Sequence, residues 1–221
     1  MAVFDEELKQ LKEKILKMGG LVEEAIRDSV SALTERDSKL AKKVIERDHV
    51  INALDVEVDE DAIRLIALRQ PKATDLRFIT TAMKITTDLE RMADQAVNIA
   101  ERALELNDEP ILKPYIDIPR MKEIVQRMTR DALDALVNGD KRLANNVISR
   151  DDEVDDLKFG ILEELISYMV RDPATVSRAM KISFIAQYIE RIGDHATNIA
   201  EMVIYLVEGK IIRHMAKPEE K

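Results

Sequence analysis

Apolar residues recur along this chain at spacings of three and four, the signature of amphipathic helices. The first series runs Leu8, Leu11, Ile15, Met18, Val22, Ile26, Ser29, Leu33. Gly19-Gly20 falls inside it, where a helix kinks or lets a neighbour approach closely. Asp37 is placed to N-cap a second helix that runs to about Arg69. Pro71 breaks the chain, and a third helix runs to about Leu106. Asn107–Pro119 holds three prolines and reads as a linker.

The plan then repeats. A helix is predicted from about Asp117 to Val137, and Asn138-Gly139-Asp140 reads as a helix stop followed by an N-cap. Asp172-Pro173 is a further cap with proline at the first helical position, and the last helix ends near Gly209. No strand pattern of useful length is present. Three helices of about 30 residues joined by short turns lie antiparallel, each roughly 45 Å long. The expected fold is all-α, a tandem repeat of two three-helix bundles. The expected boundaries are 4–107 and 117–208 for the repeats, 108–116 for the linker and 209–221 for a C-terminal tail.

The halves match residue by residue. Glu90–Glu101, ERMADQAVNIAE, and Glu190–Glu201, ERIGDHATNIAE, are identical at eight of twelve positions. Upstream, VIERDHVINALD (Val44–Asp55) aligns with VISRDDEVDDLK (Val147–Lys158), identical at five of twelve. The offset between halves is 103 in the upstream block and 100 in the downstream one.

Composition narrows the function classes. The 221 residues include no cysteine, which excludes disulfides, thiolate metal sites and cysteine nucleophiles and fits a cytoplasmic address. The net charge of −9 disfavours nucleic acid as a partner. The N-terminus does not read as a signal peptide, and no apolar run approaches the ~20 residues a membrane span needs. Membrane contact is therefore expected only through partners.

The candidate chemistry is carboxylate chemistry. Glu90, Asp94, Asn98 and Glu101 are spaced four, four and three, which aligns them along one helical face; Glu190, Asp194, Asn198 and Glu201 repeat the stripe. The second helix of each half offers more oxygens, from Asp48, Asn52, Asp55 and Asp59 in one and Asp151 and Asp155 in the other. Like charges at i,i+4 destabilise a helix by a few tenths of a kcal/mol per pair, and two such stripes facing each other cost more unless a cation intervenes. Oxygen-only sites favour Mg²⁺, Ca²⁺, Mn²⁺ or iron, and several carboxylates can bridge more than one ion. The plainer reading is a solvated face in which Arg91 and Arg191 pair with some of the acids. The Glu-x-x-His motif of ferritin-like di-iron enzymes is absent, because Glu190 and His195 are five apart. His195 is expected to be a surface histidine or an accessory ligand; His49 and His214 belong to no constellation. No catalytic residue is assigned. The alternative reading is a carboxylate-bridged multinuclear metalloenzyme.

The doubled ER-x-x-D-x-x-x-NIAE, each copy preceded by a VI-x-RD block, resembles the PhoU family from about Phe4 to Gly209. The resemblance implies a six-helix tandem repeat without enzymatic activity. It implies a negative regulator of the phosphate-starvation response that modulates phosphate uptake, with the transporter's ATPase subunit and a membrane sensor histidine kinase as partners and a homo-oligomer as an open option. It also implies multinuclear metal clusters. Iron is the expected metal, with zinc, manganese, magnesium or calcium as alternatives. The family's E(D)-x-x-x-D motif falls on Glu90/Asp94 and Glu190/Asp194, with Asp151/Asp155 on the partner helix. The chain departs from the pattern at Asn52, an amide in place of a carboxylate.

Overall fold

A computed structural model describes residues 2–209, and among these every regular element is helical. The first half consists of α1 (Ala2–Thr34), α2 (Ser38–Arg69) and α3 (Ala73–Asn107). The second consists of α4 (Asp117–Asn138), α5 (Lys141–Ser149), α6 (Asp151–Arg171), a 3₁₀ turn at Pro173–Thr175, and α7 (Val176–Glu208). Of the tail expected at 209–221, and of His214 within it, all but Gly209 lies outside the described residues.

The caps explain the boundaries. The Asp37 carboxylate accepts from the N–H groups of Lys39 and Leu40, and the Asp140 carboxylate from Leu143 N–H. Asp172 accepts from Ala174 N–H and so caps the 3₁₀ turn, not α7 directly. Gly139 takes the left-handed conformation, φ 61°, that closes α4 without the steric cost a Cβ would bring.

The apolar series of α1 becomes core: Leu11, Ile15, Met18, Val22, Ile26 and Leu33 are buried. Ser29 is buried among them with its hydroxyl donating to the Ile26 carbonyl, which satisfies it within the helix. α1 runs unbroken through Gly19-Gly20. The purpose of Gly19 is close approach: a Cβ there would stand 2.3 Å from Leu133 Cδ1 of α4. The halves meet along this α1–α4 contact and along a longer one between α3 and α7. One continuous apolar core therefore runs through both bundles.

The repeat is broken at one place. Where α2 is continuous, its counterpart splits into α5 and α6 at Arg150, whose N–H bonds the Val147 carbonyl in a 3₁₀ turn. The break turns Asp151, Asp152 and Glu153 into the first turn of a new helix. Three consecutive acids are favourable there, at the positive end of the helix dipole, and unfavourable in mid-helix.

Candidate carboxylate clusters

Each half brings its second and third helices together through acids. In the first half Asp48 and Asp55 come from α2, Glu90 and Asp94 from α3. Burial raises the pKa of Glu90, and Asp94, Asp55 and Asp48 add to the rise while Arg91 opposes it. Burial and Asp94 likewise raise Asp48, against the hydrogen bond from Asn52, whose amide donates to Asp48 Oδ2 at 2.8 Å. Asp48 Oδ1 and Asp55 Oδ1 are buried atoms without a hydrogen-bond partner. Buried oxygens of this kind are normally satisfied. Arg91 approaches from outside, 3.1 Å from Asp94 and 3.4 Å from Glu90, with its side chain 57% exposed. A mostly apolar groove of about 260 Å³ opens beside Asp48, walled by Leu21, Val44, Ile51 and Val97.

In the second half Asp151 and Asp155 of α6 face Glu190 and Asp194 of α7. Burial and then Asp155, Asp152 and Glu190 raise Asp151. Asp194 is pushed up to about 6 by crowding against protein and by Glu190, Asp151 and Asp155, although the residue keeps an open side toward solvent. A cation already stands in this cluster. Lys158 Nζ donates to Glu190 Oε1 at 2.8 Å and to Asp155 Oδ1 at 2.9 Å. Burial works against the ammonium's charge, but the two carboxylates outweigh it and its pKa is raised.

The remaining stripe residues lie elsewhere. Glu101 is exposed and pairs weakly with Arg102 at 3.8 Å. Asn98 and Glu201 are half-buried about 12 Å and 16 Å beyond Glu90 and Glu190 along the helix axes. The Asn198 amide donates across the interface to Asp88 Oδ1 of α3 at 3.2 Å. His195 Nδ1 bonds the same oxygen at 2.8 Å. His195 is thus half-buried where the two halves meet, holding α7 to α3, and is not a surface residue.

Within each half the sequence pointed to Asp55 but not to Lys158 or Asp88. Asp55 and Lys158 occupy one position of the repeat with opposite charge, a signal that position-by-position comparison of the halves carries. Asp88 has no such signal, because only packing brings it to His195. The arginines of the two VI-x-RD blocks also have a structural task. Arg47 bonds Glu24 of α1 and Arg150 bonds Asp131 of α4, tying each second helix to the first helix of its own half.

Among the described residues no three acidic or histidine side chains stand as a ready-made cage for a metal ion. The first cluster nonetheless suits a hard cation. Its donors are all oxygen, two are orphaned, and the arginine that pairs with its acids, Arg91, sits on the rim. The second does not suit one as it stands, because Lys158 holds two of its four carboxylates.

The comparisons with known proteins span nearly the whole chain. The PhoU domain matches residues 15–103 and again 118–203, so each half is one copy. The phosphate-specific transport system accessory protein PhoU homolog of Aquifex aeolicus is 47% identical over 208 residues, 94% of either chain. The crystal structure of PhoU from Pseudomonas aeruginosa superposes with a TM-score of 0.91 at 43% identity, covering 94% of this chain and 100% of that one. The phosphate transport system regulatory protein PhoU from Streptococcus pneumoniae gives a TM-score of 0.88 at 29% identity, covering 95% and 99%. With its doubled motif, its repeated bundle and these matches over nearly all of its length, the chain belongs to the PhoU family.

Proposed function

We propose that this protein is a metal-binding regulatory accessory of phosphate uptake that restrains the phosphate-starvation response. The observation that carries the reading is the doubled family framework with acids converging between the second and third helices. Full-length relatives named as accessory and regulatory proteins of phosphate transport support it. No described helix is long and apolar enough to cross a membrane. On this reading the protein acts on membrane components by docking, as a cytoplasmic adaptor between the transporter's ATPase subunit and a sensor histidine kinase.

Asp48, Asp55, Glu90 and Asp94 would hold the metal, with Asn52 keeping Asp48 oriented. Iron is the first choice, with manganese or zinc the alternatives. A bound cation supplies positive charge that joins α2 to α3 and relieves their mutual repulsion. The role is structural and regulatory, and no reaction is assigned to the chain.

The test is a pull-down of the ATPase subunit and of the kinase by the purified protein, metal-free and reloaded with Fe²⁺ under anaerobic conditions. Capture of either partner that weakens in Glu90→Gln/Asp94→Asn supports the whole reading. Capture independent of metal separates the cluster from signalling. Failure to capture both partners overturns the adaptor role.

A further inference from the structure

We infer that Lys158 is the resident cation of the second cluster, so that the metal capacity of this chain is confined to the first; the inference rests on the metal-binding reading above. The two clusters are built from equivalent pairs of helices, and each gathers four carboxylates. They differ in what neutralises them. Lys158 rises from α6 and bridges Asp155 on its own helix to Glu190 on α7. Its side chain is 23% exposed and that of Glu190 18%. The ammonium also lies 4.9 Å from the centre of the Phe159 ring, a favourable cation–π approach. It is held on three sides.

The aligned position of the first half carries Asp55. Its Oδ1 is buried without a hydrogen-bond partner. The nearby arginine, Arg91, belongs to the exposed rim and leaves the orphaned oxygens of Asp48 and Asp55 unmatched. One repeat position has therefore been used in opposite ways, as a ligand oxygen in one half and as a tethered cation in the other.

A tethered ammonium is confined to the cluster at high effective concentration, so an incoming ion must compete with a neutraliser that never leaves. A divalent ion entering the second cluster must break two charge-assisted hydrogen bonds and expel the lysine, or sit beside it against like charge. Two such bonds correspond to on the order of a hundredfold or more in affinity.

Mn²⁺ added to the metal-free full chain, with the unbound ion counted by its electron paramagnetic resonance signal, tests this. Glu90→Gln/Asp94→Asn should lose Mn²⁺ binding altogether. Lys158→Gln should gain an additional binding event, and that event should survive in the triple variant that also carries Glu90→Gln/Asp94→Asn. Circular dichroism checks that each variant keeps its helices. Binding that persists in Glu90→Gln/Asp94→Asn and disappears on adding Glu190→Gln/Asp194→Asn would overturn the inference while leaving the metal-binding reading intact. So would a Lys158→Gln chain that binds no more Mn²⁺ than the parent. If no chain binds Mn²⁺, the metal-binding reading falls and the confinement claim falls with it. The pairing of Lys158 with Glu190 is read independently by a metal-free double-mutant cycle of Lys158→Gln and Glu190→Gln in urea. No coupling between the two substitutions sinks the resident-cation claim.

Discussion

The two carboxylate clusters descend from one repeated pattern and have reached different electrostatic solutions. The first keeps Asp55, an external arginine and two orphaned oxygens. The second keeps an internal lysine bonded to two of its acids. A doubled motif preserves the geometry of a site more readily than its net charge, because the helical framework is fixed by apolar positions that the charges do not touch. One substitution facing the cluster changes its chemistry and leaves the bundle unaltered.

The sharpest test of this difference is selective removal of ligands. Glu90→Gln/Asp94→Asn is expected to abolish the metal-dependent rise in melting temperature, a stabilisation of ~2.7 kcal/mol at a hundredfold excess over Kd. Glu190→Gln/Asp194→Asn should retain that rise. Differential scanning calorimetry with and without metal measures both, and equal losses in the two variants would erase the distinction.

The converse experiment makes the first half imitate the second. Asp55→Lys places an ammonium beside Glu90 and should lower metal affinity at least tenfold, which is about 1.4 kcal/mol, by titration calorimetry. Undiminished affinity would show that this position does not decide occupancy.

A smaller effect is the pH dependence of the second cluster. Asp194 has a folded-state pKa of about 6, above its ordinary 3.8, so the folded protein binds its proton more tightly than the unfolded chain does. Its contribution to stability is fully present below pH 3.8 and is lost as pH rises through 6. With allowance for solvent screening at this partly open residue, the loss is about 1 kcal/mol. Asp194→Asn should therefore gain stability relative to the parent at pH 7 and show no such gain at pH 4, by urea denaturation in chelator. A difference between the chains that is the same at both pH values would contradict the assignment.

The smallest expected effect is at the rim of the first cluster. Arg91→Ala should change metal-free stability by no more than about 0.5 kcal/mol, because its ion pairs are exposed to solvent. A loss above about 2 kcal/mol would make Arg91 an internal neutraliser like Lys158 and remove the contrast.

The sequence by itself determined the repeat, most of the helices and the caps at Asp37, Gly139 and Asp140. Asp37, Gly139 and Asp140 act on backbone groups within a few residues, and an apolar stripe names its buried face wherever its partner lies. It also placed Asp48, Asp55, Glu90 and Asp94 of one half, and Asp151, Asp155, Glu190 and Asp194 of the other, on faces that converge, since α2 with α3 and α6 with α7 have short connections and little freedom to pair otherwise. The tertiary structure alone decided which charges share a volume. Spacing along α7 put Glu190, Asp194 and Asn198 on one stripe, yet Asn198 is turned with His195 toward Asp88 of the other half. Lys158 reaches Glu190 only because α6 packs against α7, and the break at Arg150 makes Asp151, Asp152 and Glu153 the first turn of α6. Local periodicity fixes the direction of a side chain about its own helix axis. The partner it meets depends on how two helices are rotated and offset, and that is set by the whole core at once.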